Sequence, residues 1–84
     1  MDVNTIFGLV GHGNMLFVDD LVRSHDGRYI YGAREDGAVM MADGYARSSG
    51  RLGVATVTFG PGLTNTLTAL HEAARARTPM LVIT

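Results

Sequence analysis

Four short apolar runs, each separated from the next by a stretch of helical periodicity, constrain this chain more than any other feature. Thr5-Ile-Phe-Gly-Leu-Val10 is the first, and Gly11-His12-Gly13 closes it in a tight turn. Arg28 to Tyr31 is the second, and Val54 to Phe59, rich in β-branched residues, is the third. Met80 to Ile83, just after Pro79, is the fourth. Between the first two runs Asn14 stands where it can cap a helix, and Leu16, Phe17, Leu21 and Val22 recur with roughly helical spacing. Ser24 to Gly27 is polar and turn-like. From Asp36 onward Ala38, Met41, Ala42 and Tyr45 share one helical face, and Gly50 is a helix stop. After Gly60-Pro61-Gly62, a stripe of Leu63, Leu67, Leu70 and Ala74 predicts another amphipathic helix.

The order is therefore β-α-β-α-β-α-β. Such alternation predicts an α/β fold: a partial open parallel sheet, with right-handed crossovers and helices on both faces. It does not fix the order of the strands. A terminal apolar strand such as Met80 to Ile83 ordinarily needs neighbours on both sides. Residues 1–84 thus read as one unit, an incomplete domain that is expected to associate rather than remain a clean monomer.

Composition narrows the function classes. At 46% hydrophobic and 18% charged, the chain is globular rather than disordered. The formal net charge is −1, every basic residue is Arg, and the arginines are scattered, so no basic patch points to nucleic acid or an acidic membrane. No apolar run reaches the roughly 18 residues of a membrane span. The absence of Cys excludes disulfides and thiolate chemistry, and the expected location is the cytoplasm.

Ligands of open α/β sheets sit outside the carboxyl ends of the strands. Three loops occupy such ends: Gly11-His12-Gly13, Ala33-Arg34-Glu35 and Gly60-Pro61-Gly62. The first is not a dinucleotide fingerprint, because the glycine spacing fails and no acid follows at about 20 residues. A phosphate loop of the Walker type is excluded, since it needs a Lys. His12, flanked by glycines, is free to face a cleft, although a lone loop histidine is more often merely solvated. His25 and His71 read as surface residues, and no histidine pair has metal-ligand spacing.

Glu35 and Asp36 begin a helix, where the macrodipole favours an acid by roughly 0.3–1 kcal/mol. Two acids in a row exceed what a cap requires. A carboxylate partly withdrawn from water tends to hold or share a proton, which marks one of the pair as a functional candidate. Pro61 suits a first helical turn, and Asn65 lies one turn further on, facing either a cleft or solvent.

Taken together the motifs resemble one family. Glu35-Asp-Gly-Ala, then Ala42-Asp-Gly-Tyr-Ala-Arg47, Gly50, Gly53-Val54, Phe59-Gly-Pro-Gly-Leu-Thr-Asn65, and Thr78-Pro79 with Ile83-Thr84 are collinear with the pyrimidine-binding domain of thiamine-diphosphate enzymes. The acetolactate synthase and 2-oxoacid decarboxylase group is the nearest, and Phe7-Gly8 with Gly11 matches its opening loop. The resemblance implies that Glu35 hydrogen-bonds a ring nitrogen of the cofactor's aminopyrimidine. That bond favours the imino tautomer, which takes the proton of the thiazolium carbon. It also implies that Pro61, Asn65 and Leu9 line the pyrimidine pocket, and that His12 faces the reacting substrate and contacts its carboxylate or relays a proton.

The resemblance further implies a lyase or transferase that acts on a 2-oxoacid with thiamine diphosphate and Mg²⁺, and it admits FAD. The diphosphate and Mg²⁺ belong to a second domain with a Gly-Asp-Gly…Asn signature, which this sequence lacks. A homo-oligomer, dimer or tetramer, brings that domain from a neighbouring subunit, so these residues alone are expected to be inactive. Three positions depart from the family pattern. Asp36 replaces the usual amide after the glutamate, Val10 replaces a proline, and Gly-His-Gly-Asn is similar to the loop of relatives that hydrolyse a cyclic dione. Two other readings stay open: a separately encoded pyrimidine-binding subunit of a split decarboxylase, and a non-catalytic α/β interaction module.

Overall fold

A computed structural model of the protein describes residues 3–11 and 13–84. Four strands, β1 (Thr5–Gly8), β2 (Arg28–Tyr31), β3 (Gly53–Thr56) and β4 (Met80–Ile83), form one sheet in the order β2-β1-β3-β4. All pairings are parallel, with Thr5 opposite Arg28, Phe7 opposite Ala55 and Gly53 opposite Met80. Burial follows position. The central strands β1 and β3 are buried at every residue, whereas the edge strands β2 and β4 are half-exposed. A parallel strand covered on both faces needs a continuous apolar run, and Ile6-Phe7 and Val54-Ala55 supply it.

Helix α2 (Glu35–Ser49) carries the core on one face of the sheet. Its Val39 and Ala42 pack with Phe7, Ala55 and Ala69, and Tyr45 lies against Phe7 with ring centroids 5.5 Å apart at 57°. The predicted stop holds: Gly50 is left-handed at φ 72°, and its N–H donates to Ala46 O. Within α2, Asp43 is braced by Arg47 through two bonds of 2.8 and 2.9 Å. The guanidinium beside Asp43 holds its carboxyl below the usual carboxylate range.

Two helices turn inward only part of the faces the periodicity predicts: Leu21, Leu63 and Leu70 are partly buried, and Leu70 packs against the core, while other expected positions face out. In α1 (Met15–Ser24) the buried residue is Val18, while Leu16 is 83% exposed and Phe17 and Val22 are also exposed. Asn14, Val18 and the partly buried Leu21 form the true inward stripe, so the expected set straddled two faces. The third predicted helix is two: α3 (Pro61–Thr64) and α4 (Leu67–Arg75). The break tightens the turn, with Thr66 N–H donating to Leu63 O and Thr66 Oγ1 donating to the same oxygen at 2.6 Å. This shifts the phase, and Thr66, Ala69 and Ala73 face inward while Leu67 is 60% exposed and Ala74 is exposed. Small residues there let α4 approach α2 closely, which Leu67 would prevent.

Candidate functional site

The strand order creates a crevice. The chain leaves β1 for β2 on one side, then crosses back to β3 on the other, so the loops after β1 and β3 part above adjacent strand ends. Ligands of open parallel sheets occupy such switch points. The loops after β1, β2 and β3 all open on this edge.

Glu35 is the first residue of α2, preceded by Arg34 in extended backbone. Its Oε1 accepts a hydrogen bond from Asn65 Nδ2 at 3.3 Å. Asp36 does a different job. Its Oδ1 accepts from the Gly37 N–H at 2.8 Å and lies 3.3 Å from Arg34 Nε. The two neighbouring acids are thus divided: Asp36 serves its own helix end, and Glu35 reaches across to the loop after β3. Glu35 is partly buried, and Asn65 is exposed.

Asn65 owes its position to the turn before it. Gly60 has φ 71°, Pro61 occupies the first turn of α3, and Asn65 caps that short helix at its C-terminal end. Pro61 itself is exposed beside the same turn. A Cβ built on Gly62 would sit 2.6 Å from Thr58 Oγ1 and 3.8 Å from Glu35 Oε2, which places the carboxylate against the Pro61 turn. The same threonine meets the β1 loop, since a Cβ on Gly11 would lie 2.2 Å from Thr58 Cγ2. Thr58 is therefore wedged between two glycines from two loops.

Leu9 follows β1 directly and is partly buried. Its N–H donates to Thr56 O at 3.2 Å, and its carbonyl accepts from Asn14 Nδ2 at 3.2 Å. Asn14 is the residue that sequence reasoning misplaced. It precedes α1 but makes no side-chain cap. Only 4% exposed, it accepts the Gly11 N–H on Oδ1 at 2.9 Å and donates from Nδ2 to Thr56 Oγ1 at 3.2 Å. Nothing in the periodicity marks this, because a cap and a loop clamp use the same residue type at the same place.

Glu35, Pro61 and Asn65 are brought together, with Leu9 fixed at the neighbouring strand end. His12 lies outside the described residues. His25 and His71 are exposed, with His25 Nε2 3.2 Å from Asp20 Oδ2. Two hollows, of about 570 and 420 Å³, run along α4 and are lined by residues such as Leu67 and His71, and Met40 and Glu72. They are open troughs on helix faces, far in composition from the Glu35 edge, so converging polar groups and not volume mark the site. Among the described residues no group of three or more His, Cys, Asp or Glu side chains could hold a metal ion.

A partly buried carboxylate that accepts from an amide beside a proline turn keeps acceptor capacity for a further hydrogen bond. The family model described as "Thiamine pyrophosphate enzyme, N-terminal TPP binding domain" matches residues 1–84. The chain is 42% identical over 85 residues to the acetolactate synthase large subunit of Lactococcus lactis, with all of this chain and 15% of that protein covered. It is 43% identical over 84 residues to the mitochondrial acetolactate synthase catalytic subunit of Saccharomyces cerevisiae, covering 99% of this chain and 12% of that one. The crystal structure of benzoylformate decarboxylase from Polynucleobacter necessarius superimposes with a TM-score of 0.87 at 28% identity, over 95% of this chain and 15% of that one. The chain therefore spans about one-seventh of the length of the relatives it matches. On this fold, this edge and this match over its whole length, the chain belongs to the thiamine pyrophosphate enzymes, in the part that forms their N-terminal TPP-binding domain.

Proposed function

We propose that the protein works as a thiamine-diphosphate-dependent lyase or transferase on a 2-oxoacid, with this domain holding the aminopyrimidine ring and Glu35 as its activating acid. The observation that carries the reading is the Glu35–Asn65 contact at the switch-point edge. Glu35 would share a proton with a ring nitrogen, Asn65 would hold the carboxyl in register, and Pro61 and Leu9 would bound the ring. When bound, the cofactor supplies the carbanion chemistry, and the protein supplies orientation and electrostatics.

The partial exposure of Glu35 fits a half-site. A shared proton is favoured by exclusion of water. The remaining cover would come from the diphosphate-binding domain of a neighbouring subunit in a dimer or tetramer, which would also bring Mg²⁺. His12 would contact the substrate carboxylate or relay a proton, FAD would be an accessory in the synthase branch, and the assembly would act in the cytoplasm.

The test uses the full-length protein with thiamine diphosphate and Mg²⁺ against a panel of 2-oxoacids. Glu35→Gln is expected to lower kcat by about 100-fold or more, within the range of general acid–base contributions. Unchanged turnover in this variant would end the role proposed for Glu35, and a wild type that turns over no 2-oxoacid would leave the non-catalytic module standing.

A further inference from the structure

The buried amide of Asn14 does more than shape a turn. It holds three partners at once: the Gly11 N–H, the Leu9 carbonyl and the Thr56 hydroxyl. Thr56 belongs to β3 and is fully buried. Leu9 is consequently tied at both ends of its residue, by its N–H to the Thr56 carbonyl and by its own carbonyl to Asn14. A loop residue is otherwise free to move, and a buried, satisfied polar network is what fixes one backbone path. Ligand contacts built on loops gain precision only from such a supporting shell.

We infer that Asn14 is a positioning residue, which fixes the Leu9 backbone, so sets the Leu9 side chain against the aminopyrimidine ring, and thereby tunes cofactor affinity. The inference rests on the proposed pyrimidine site. Asn14 acts through Leu9 and does not touch the ring. Of its three bonds, the one to the Leu9 carbonyl carries the effect. The bond to Thr56 anchors the clamp to the sheet, and the bond to Gly11 closes the turn.

Two substitutions separate these bonds. Asn14→Asp keeps an acceptor for the Gly11 N–H, and the Thr56 hydroxyl can turn to donate to it. It has no donor for Leu9, whose carbonyl then faces a carboxylate. Thr56→Val removes only the strand anchor. In full-length protein with Mg²⁺, thiamine diphosphate titrations are expected to give an apparent Kd about tenfold weaker for Asn14→Asp, the loss of about one hydrogen bond's worth of positioning. Thr56→Val is expected to lower Tm while leaving the Kd within about threefold.

The decisive reading is the double variant. With Leu9→Ala already present, Asn14→Asp is expected to change the Kd by less than about twofold, because the side chain that Asn14 positions is gone. An undiminished effect in that background overturns the inference, since a merely structural role is additive. Should Asn14→Asp not fold, Asn14→Ser, one atom shorter and still able to accept the Gly11 N–H, reads the same bond. A wild type that binds no thiamine diphosphate overturns the proposed function and this inference together. A wild type that binds, with Asn14 variants binding equally well, overturns the inference alone.

Discussion

Asn65 donates to Glu35 across 3.3 Å, from a residue that caps a four-residue helix to the first residue of the longest one. The bond joins the loop after β2 to the loop after β3, over the end of β1 which lies between the strands' two halves of the sheet. It is long and solvent-accessible, so its energetic worth is small, about 0.5–1.5 kcal/mol. Its value is directional. If Glu35 is the activating acid proposed above, Asn65→Ala is expected to lower kcat about 3- to 10-fold in the full-length protein, much less than loss of the acid itself. In a Glu35→Gln background the same change is expected to have a smaller effect. Steady-state kinetics on the four proteins checks this, and equal effects in both backgrounds contradict the coupling.

Thr58 makes a sharper test of the local packing. Its methyl fills the space where Gly11 lacks a side chain, and its hydroxyl fills the corresponding space at Gly62. Gly11→Ala and Gly62→Ala are each expected to destabilise by about 1–3 kcal/mol through overpacking. Thr58→Ser removes the methyl and keeps the hydroxyl. It is expected to relieve Gly11→Ala and leave Gly62→Ala unrelieved. Thermal denaturation of the single and double variants distinguishes the two.

Acid sensitivity follows from the brace inside α2. The Asp43 carboxyl is depressed, first by its hydrogen bonds to Arg47 and then by the Thr78 hydroxyl and the Arg47 charge, against burial that works the other way. A depressed carboxylate contributes stability that is complete above its unfolded value, 3.8, and lost as pH falls through the folded value. Arg47, pushed upward by the same pair, stays charged throughout. Asp43→Asn is thus expected to be less stable than wild type at pH 7, with the gap narrowing below about pH 4. Helix content followed by circular dichroism during acid titration measures it. A gap that stays constant to pH 2 refutes the assignment.

Gly50 offers a purely backbone test. Its φ of 72° suits glycine, and a Cβ there would meet nothing within 4 Å. Gly50→Ala is expected to cost about 1–2 kcal/mol, all of it from the left-handed conformation. Gly50→Asn is expected to cost less, because Asn tolerates that region. Equal losses on denaturation would point to a contact instead.

How far the residues alone reveal this protein differs from element to element. Arg28–Tyr31, Met80–Ile83 and the Gly50 stop are where local pattern places them, because turn residues and β-branched runs act at short range. That the Glu35 and Pro61 loops meet at one edge was legible from the rule for strand ends, whereas Asn65, left between cleft and solvent by its own position, was placed with them only by the family resemblance. The inward faces of α1 and α4 were not legible. Leu67 looks like a core residue in a window of sequence, yet which face of α4 turns inward depends on the break at Asn65-Thr66 and on close packing against α2, and Leu16 looks the same although α1 turns Val18 inward beside β2. The role of Asn14 was hidden for a related reason: its partner Thr56 is on another strand. Asp36 illustrates the opposite case, an apparent anomaly beside Glu35 that three-dimensional geometry reduces to a local ion pair and turn.

Strand β1 stands inside the sheet, with its partners beginning only at residue 28 and residue 53. No hairpin can form early and wait, so every pairing requires closure of a long loop before it is rewarded. During synthesis β1 can pair on one side once residues 28–31 have emerged, and its other side stays open until β3 follows, so the nascent chain carries an unpaired edge for that interval. Completion of the central pair therefore waits on residues 53–56, a delay built into this connectivity.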